Sequence, residues 1–218
     1  MLFRSQGVRR VEWFANYTDR LVPPAQPDLR RCRRLFFLGQ VRTGKGIDVL
    51  LKSAALLPEG TSIDIFGPLY DYSRDDLETL GGPGVRYRGI LSQDEVTTRL
   101  WEYDAMVFPT VHEGEGYPGA ILEAFSHGLP VIATRWNSIP ELVDDTCGIL
   151  IEPRNPQALA DAAALLHTDN RLFERLKAGA WQRSRLFPTD VWTARFVEIC
   201  DSVLENSTGK RDAVCAAL

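Results

Sequence analysis

The sequence predicts an α/β fold in which a doubly wound parallel sheet carries helices on both faces. Two observations predict it. Short apolar runs of strand length alternate with longer helical patterns along most of the chain, and many of these runs end in glycine or proline. Because such sheets bind ligands beyond the carboxyl ends of their strands, the loops that follow the runs are predicted to gather at one edge.

The composition is typical of an ordinary globular protein. The chain has 218 residues, of which 44% are hydrophobic and 25% are charged. The net charge of −4 does not favour nucleic acid as a partner, although the cluster Arg-Arg-Cys-Arg-Arg at residues 30–34 could face a membrane surface or an acidic ligand, or form a solvated linker. No signal peptide opens the chain and no apolar run reaches the ~18 residues that span a bilayer, so we expect a cytoplasmic protein, at most peripheral to the inner face of a membrane.

The cysteines and histidines predict neither disulfides nor a metal site. Cys32, Cys147, Cys200 and Cys215 are widely spaced and form no pair of the zinc-binding or redox kind, so we expect free thiols. None of the three histidines has the spacing from another ligand type that a metal site requires.

One folded domain is predicted between two irregular ends. Residues 1–34 are expected to form a linker or hinge remnant, with a possible strand at Val11-Glu12-Trp13-Phe14. Residues 35–205 form the domain, and residues 206–218 a frayed tail. The domain contains no internal repeat and no low-complexity tract.

The predicted elements follow from apolar runs, caps and turns. Strands, some with the turn that follows them, are expected at 34–39, 62–68, 85–91, 105–109, 129–133 and 147–151, and those at 34–39, 105–109 and 129–133 are expected to be buried. Helices are expected after residue 46 and at 92–103, 118–127, 155–167, 170–186 and 190–204, and residues 136–143 are expected to form a loop and a short helix. Ser92 and Glu95 form a capping box at the start of the helix at 92–103. Asn155 caps the helix at 155–167, and Pro156 lies in its first turn. The charged segment 69–84 is expected to contain long loops.

The segment around Glu115 carries the predicted site. Glu115 lies in a glycine-rich loop, and Pro118 is expected at the first helical position, where its missing N–H costs nothing. Gly128 is placed to end this helix. The loop therefore joins a buried strand to a helix N-terminus.

Two glutamates eight positions apart, Glu115 and Glu123, frame the unpaired N–H groups of Gly119, Ala120 and Ile121. The N–H groups and the positive end of the helix dipole suit the phosphates of a nucleotide diphosphate. A carboxylate on either side can accept hydrogen bonds from sugar hydroxyls.

Nearby residues add to this prediction. Lys45, at a glycine-flanked helix start, is a natural phosphate partner, and Gly116 lets the backbone approach a ligand. Tyr117 can touch a ligand or wedge the loop. We interpret His112 as a loop histidine and His127 as a complement to the helix C-terminus.

The block Glu-Gly-Tyr-Pro-Gly-Ala-Ile-Leu-Glu-Ala at 115–124 resembles the signature of the retaining glycosyltransferases of family 4, a Glu, seven residues and a second Glu followed by Ala. The continuation Gly-Leu-Pro-Val-Ile-Ala at 128–133 is also similar. This family has the two-lobed GT-B architecture, and the chain resembles only its C-terminal, Rossmann-like donor lobe, over about 35–205. Lys45 matches the family's Gly-Arg-Leu-x-x-x-Lys-Gly element, but Gln40 replaces the arginine and Arg42 lies two residues later.

The resemblance implies transfer of a sugar from a nucleoside diphosphate sugar to a hydroxyl acceptor, with retention, in polysaccharide or glycoconjugate synthesis. It implies that Glu115 is catalytic and stabilises positive charge on the donor ring, while Glu123 holds the ribose hydroxyls. The other implied donor contacts are Gly39, Arg42, Lys45, Gly89, Ile90, Gly116, Tyr117, Gly119, Ala120 and Ile121. It implies no metal and no cofactor besides the donor substrate.

Two alternatives stay open. The chain is too short to include an acceptor-side lobe, so it could be a nucleotide-sugar-binding module that is inactive without a separate lobe or subunit. An epimerase of the same two-lobed fold would need groups from that other lobe.

Overall fold

The computed structural model describes residues 14–18 and 31–215, with side chains as far as residue 204. In this part of the chain six parallel strands form one sheet in the order β3-β2-β1-β4-β5-β6. The strands are β1 (Arg34–Leu38), β2 (Ser62–Phe66), β3 (Val85–Gly89), β4 (Ala105–Phe108), β5 (Val131–Thr134) and β6 (Gly148–Ile151). The strand order reverses between β1 and β4, which confirms the predicted doubly wound parallel sheet.

Helices connect and cover the strands. They are α1 (Ile47–Ala54), α2 (Arg74–Gly81), α3 (Gln93–Arg99), α4 (Gly119–Ser126), α5 (Ile139–Leu142), α6 (Pro156–Thr168), α7 (Asn170–Ser184) and α8 (Thr189–Cys215), with 3-10 turns at Thr43–Lys45, Gly82–Gly84 and Leu100–Glu102. α1 packs against α2 and α6, whereas α4 packs against α7. Right-handed crossovers on either side of the switch point put these two groups on opposite faces of the sheet. In the described residues no helix is both long and apolar enough to cross a membrane.

The core lies along the central strands. β4 and β5 are buried at every position, and Phe36 and Phe37 of β1 have no exposed surface. Asp64 of β2 is a polar exception, because its carboxylate accepts hydrogen bonds from Arg88 Nε at 3.0 Å and Tyr103 Oη at 2.8 Å. The buried charge is therefore paired, as burial requires.

The segment 69–84 differs from the prediction, because it contains α2 and not only loops. A capping box closes the N-terminus of this helix, with the Ser73 hydroxyl accepting from the Asp76 N–H and the Asp76 carboxylate accepting from the Ser73 N–H. Leu77 and Gly81 are its buried residues, so no apolar periodicity marks the helix in the sequence.

Two helix boundaries also need correction. Pro118 is the N-cap of α4 and not its first helical residue, since its ψ of 123° is extended. α8 continues to Cys215, across most of the segment predicted as a frayed tail. The strand proposed at residues 11–14 lies outside the described residues except for Phe14, which belongs to no strand.

The cysteine prediction agrees with the structure where side chains are described. Cys32, Cys147 and Cys200 are free thiols. Cys32 is only 1% exposed, and burial raises the pKa of its thiol.

Candidate functional site

The loops that follow β1, β2 and β3 meet at the carboxyl edge of the sheet, as predicted. The Gly39 N–H donates to the Phe66 carbonyl at 3.0 Å, and the Gly67 N–H donates to the Gly89 carbonyl at 2.9 Å. A Cβ on Gly67 would lie 1.8 Å from the Gly39 carbonyl oxygen, so the close packing of these two turns requires glycine at position 67.

The loop after β4 lies directly against the turn that precedes α1. Gly46 has a φ of +76°, and a Cβ there would lie 1.9 Å from the Pro109 carbonyl oxygen. The Val111 N–H donates to the Gly44 carbonyl at 3.0 Å. These contacts bring the lysine of one loop to the glutamate of the other, 70 positions apart in the chain.

Lys45 and Glu115 form an ion pair at this junction. Lys45 Nζ lies 2.7 Å from Glu115 Oε2, and the two side chains are only 15% and 7% exposed. The Thr110 hydroxyl donates to the same carboxylate oxygen at 2.6 Å, and the lysine nitrogen lies 5.9 Å from the centre of the Phe108 ring. A charge-assisted pair in so little water is held more firmly than a surface pair.

Arg42 offers a second cation near Lys45. Its Nε is buried and has no hydrogen-bond partner among the residues that the structure describes. A buried guanidinium nitrogen without a partner is costly unless a ligand supplies the acceptor. Gln40, which stands at the arginine position of the family element, is exposed.

The N-terminus of α4 lies between the two predicted glutamates. In the described part of the chain the N–H groups of Gly119 and Ala120 have no hydrogen-bond partner, as predicted, but the Ile121 N–H donates to the Pro118 carbonyl at 3.1 Å. The prediction of a free Ile121 N–H was therefore wrong, because the first turn closes on its own cap. A Cβ added at Gly116 or Gly119 would meet nothing within 4 Å, so this side of the helix start is open.

Glu123 lies one turn into α4 and is half-buried. The side-chain amide of Gln93 donates to its Oε1 at 2.8 Å. Gln93 is the first residue of α3 and follows the loop with Gly89 and Ile90. A Cβ on Gly89 would also meet nothing within 4 Å, and Ile90 is 66% exposed, so this loop borders open space near Glu123.

Tyr117 contacts residues from outside the predicted site. Its hydroxyl donates to Glu141 Oε2 at 2.8 Å, its carbonyl accepts from Asn16 Nδ2, and its ring lies 6.4 Å from that of Phe187. These contacts favour the wedge interpretation for its side chain. A donor contact by Tyr117 remains a prediction.

The two histidines have structural contacts. The His112 carbonyl accepts from Trp136 Nε1 at 2.8 Å, which ties the loop to the segment after β5. His127 is the C-cap of α4, and its Nδ1 lies 2.7 Å from the Glu123 carbonyl oxygen, which agrees with the predicted role. No group of three or more His, Cys, Asp or Glu side chains in the described residues could hold a metal ion.

Sequence reasoning missed Thr110, Gln93 and Glu141. Thr110 could have been found, because it is a polar residue just beyond a buried strand that ends at the site. The other two had no signal in the sequence, since each meets its partner only through packing between separate helices and loops.

Comparison with known proteins extends these observations. A family model described as "Glycosyl transferases group 1" matches residues 32–169, more than half of the chain. The D-inositol 3-phosphate glycosyltransferase of Xylanimonas cellulosilytica is 31% identical over 173 residues, which cover 76% of this chain and 41% of that protein. The O-antigen chain mannosyltransferase B of Escherichia coli is 30% identical over 132 residues, 57% of this chain and 34% of that protein.

Comparison with solved structures shows a similar fold. HepE from Anabaena, solved in complex with UDP, superposes with a TM-score of 0.70 at 19% identity, over 79% of this chain and 49% of that one. The chain thus spans about half of this structure, and less of the two curated relatives. The family match runs from the start of β1 to the end of α6 and includes Lys45, Glu115 and Glu123, and on this match the chain belongs to the glycosyl transferases group 1 family.

Proposed function

We propose that this chain is the donor-binding domain of a retaining glycosyltransferase of family 4, which moves a sugar from a nucleoside diphosphate sugar to a hydroxyl acceptor. The observation that carries the proposal is the Lys45–Glu115 pair, 2.7 Å apart and poorly exposed, beside the open N-terminus of α4. A cation, free N–H groups and a carboxylate at one sheet edge are what a diphosphate linked to a sugar needs.

The proposed roles follow from charge. Lys45, Arg42 and the N–H groups of Gly119 and Ala120 would neutralise the departing diphosphate, so transfer would need no metal. Glu115 would lie against the donor ring and stabilise positive charge as the bond from the anomeric carbon to the diphosphate breaks. The acceptor oxygen would form its bond to that carbon on the same face, and its proton would pass to the departing diphosphate oxygen.

The ribose and base would lie further along the edge. Glu123 would accept from the ribose hydroxyls, while Gly89 and Ile90 would border the base, with Gly39 at the start of the phosphate loop. The loop sequence Gly-Glu-Gly-Tyr-Pro-Gly at 114–119 favours a place in polysaccharide or glycoconjugate synthesis. Open space next to Gly89, Gly116 and Gly119 supports this path for the donor.

A second candidate function is nucleotide-sugar binding without transfer by this chain alone. The chain covers 41% of the length of its relative from Xylanimonas, and a closed cleft would need an acceptor lobe from elsewhere in a longer protein or from a separate subunit. We place the protein in the cytoplasm, at most peripheral to a membrane. Exposed Arg31 and Arg33 at the opposite edge of the sheet are among the groups that could make such contact.

Titration calorimetry against UDP, GDP and ADP tests the donor site. Lys45→Ala and Glu123→Ala should each weaken binding about tenfold or more, since charged hydrogen bonds are worth about 1.5–3 kcal/mol. Lys52→Ala is the matched control for the lysine, because Lys52 is 69% exposed on α1. A folded wild-type protein that binds none of the three nucleotides would contradict the proposal.

A further inference from the structure

One side-chain contact joins α3 to α4 at the edge of the proposed donor site. The Gln93 amide donates to Glu123 Oε1 at 2.8 Å, across 30 positions of sequence. Neither residue is deeply buried, so the contact lies where a ligand can reach it. One oxygen of the carboxylate is thereby occupied by a protein donor.

A second contact below it holds the same two helices. The His127 side chain, in a residue only 2% exposed, has Nδ1 at 2.7 Å from the Glu123 carbonyl oxygen and Nε2 at 3.1 Å from the Thr97 carbonyl oxygen. Thr97 lies one turn beyond Gln93, and its hydroxyl donates to the Gln93 carbonyl at 3.1 Å. Trp101 covers the imidazole, with ring centres 4.6 Å apart.

These contacts of Gln93, Thr97, Glu123 and His127 join α3 to α4. The buried histidine fixes the spacing of the helices, and that spacing brings the Gln93 amide to the carboxylate. The hydrogen bond from Gln93 to Oε1 fixes the orientation of the Glu123 carboxylate, so Oε2 is left as an acceptor that faces one direction. A bound ligand then does not have to restrict the rotation of this side chain itself. Two neighbouring hydroxyls of a ribose are donors suited to such an acceptor.

We propose that Gln93 is a positioning residue, which holds Glu123 for the ribose hydroxyls and makes the site selective for ribonucleotides over nucleotides that lack these hydroxyls. The inference rests on the proposed function. Gln93 lies close in sequence to Gly89 and Ile90. It therefore links the loop that would border the base to the carboxylate that would bind the ribose.

The test is titration calorimetry of the full chain with UDP and GDP and with their 2′,3′-dideoxy forms. Gln93→Ala should weaken binding of the preferred ribonucleotide about 3- to 10-fold, the value of one hydrogen bond, and leave its dideoxy form unchanged. Gln93→Glu should weaken it further, because two carboxylates would then face each other at hydrogen-bond distance. Thr98→Ala is the matched control on α3, since among the described residues the exposed Thr98 hydroxyl bonds only to carbonyls of its own helix.

The outcomes separate this inference from the function on which it rests. Equal weakening of the ribo and dideoxy forms by Gln93→Ala, or no weakening of either, would overturn the positioning role while leaving the donor site intact. Wild-type protein that is folded by circular dichroism and binds neither UDP nor GDP would overturn the donor site and this inference with it.

Discussion

Replacing Glu115 by glutamine should tighten the binding of a free nucleoside diphosphate, although it removes the proposed catalytic carboxylate. In the ligand-free chain Lys45 is engaged by Glu115 at 2.7 Å, so a diphosphate must compete with the carboxylate for this lysine. Glu115→Gln keeps the shape and keeps an acceptor for the Thr110 hydroxyl, but it removes the competing charge.

The size of the effect follows from the burial of the pair. A hydrogen bond to a charged group is worth about 1.5–3 kcal/mol, and part of this is regained in wild type if Lys45 bonds both acceptors. We therefore expect a gain of about 1–2 kcal/mol, which is about 5- to 30-fold in the dissociation constant. The same variant should lose transfer activity and some stability, since its lysine is left without an anionic partner.

Titration calorimetry with UDP or GDP measures this gain, with Glu113→Gln as the matched control. Glu113 is exposed in the same loop, so the control removes the same charge without touching Lys45. An affinity of Glu115→Gln equal to or weaker than that of both wild type and the control would refute the reasoning. It would mean that Lys45 does not leave the carboxylate, or that Glu115 contributes directly to diphosphate binding.

Three further substitutions test stability, and one of them also tests nucleotide binding. Burial raises the pKa of Asp144, but hydrogen bonds from Thr146 and Arg183 outweigh this effect and lower the pKa from 3.8 to about 2. Asp144→Asn should therefore lower the free energy of unfolding by about 1 kcal/mol or less near pH 7. In urea unfolding, this difference from wild type should shrink as the pH falls from about 4 towards 2. Gly46→Ala should lower the free energy of unfolding by about 2 kcal/mol or more, because its φ of +76° and the nearby backbone oxygen leave no room for a Cβ. Gly116→Ala, which has open space, should change stability little and weaken nucleotide binding; equal stability of the two alanine variants in thermal unfolding would contradict this account.

The central strands could be predicted from the sequence because their burial leaves a clear apolar pattern. β4 is a continuous apolar run that ends at Pro109, β5 is a mostly apolar run that follows Pro130, and the structure buries each of their positions. α2 was missed for the opposite reason. It is held by local capping at Ser73 and has little apolar surface to bury, so its segment looks like a charged loop.

The site was predictable as a set of residues but not as a set of contacts. The glycine turns and the two glutamates follow from spacing and from the topology of a parallel sheet. That Lys45 bonds Glu115, and that Gln93 bonds Glu123, depends on how loops and helices far apart in sequence pack. Spacing carries no information on such pairs, and neither does residue type.

The position of the Lys45–Glu115 pair in the sheet determines how readily it is disrupted by local unfolding. Lys45 follows β1 and Glu115 follows β4, the two central strands on either side of the switch point. Amide hydrogens of central strands exchange mainly through global unfolding, whereas outer helices and edge strands open locally at lower cost. The charged pair should therefore keep its geometry while the edge strand β3 opens locally, so the phosphate end of the site would be among the last parts of the fold to lose its structure.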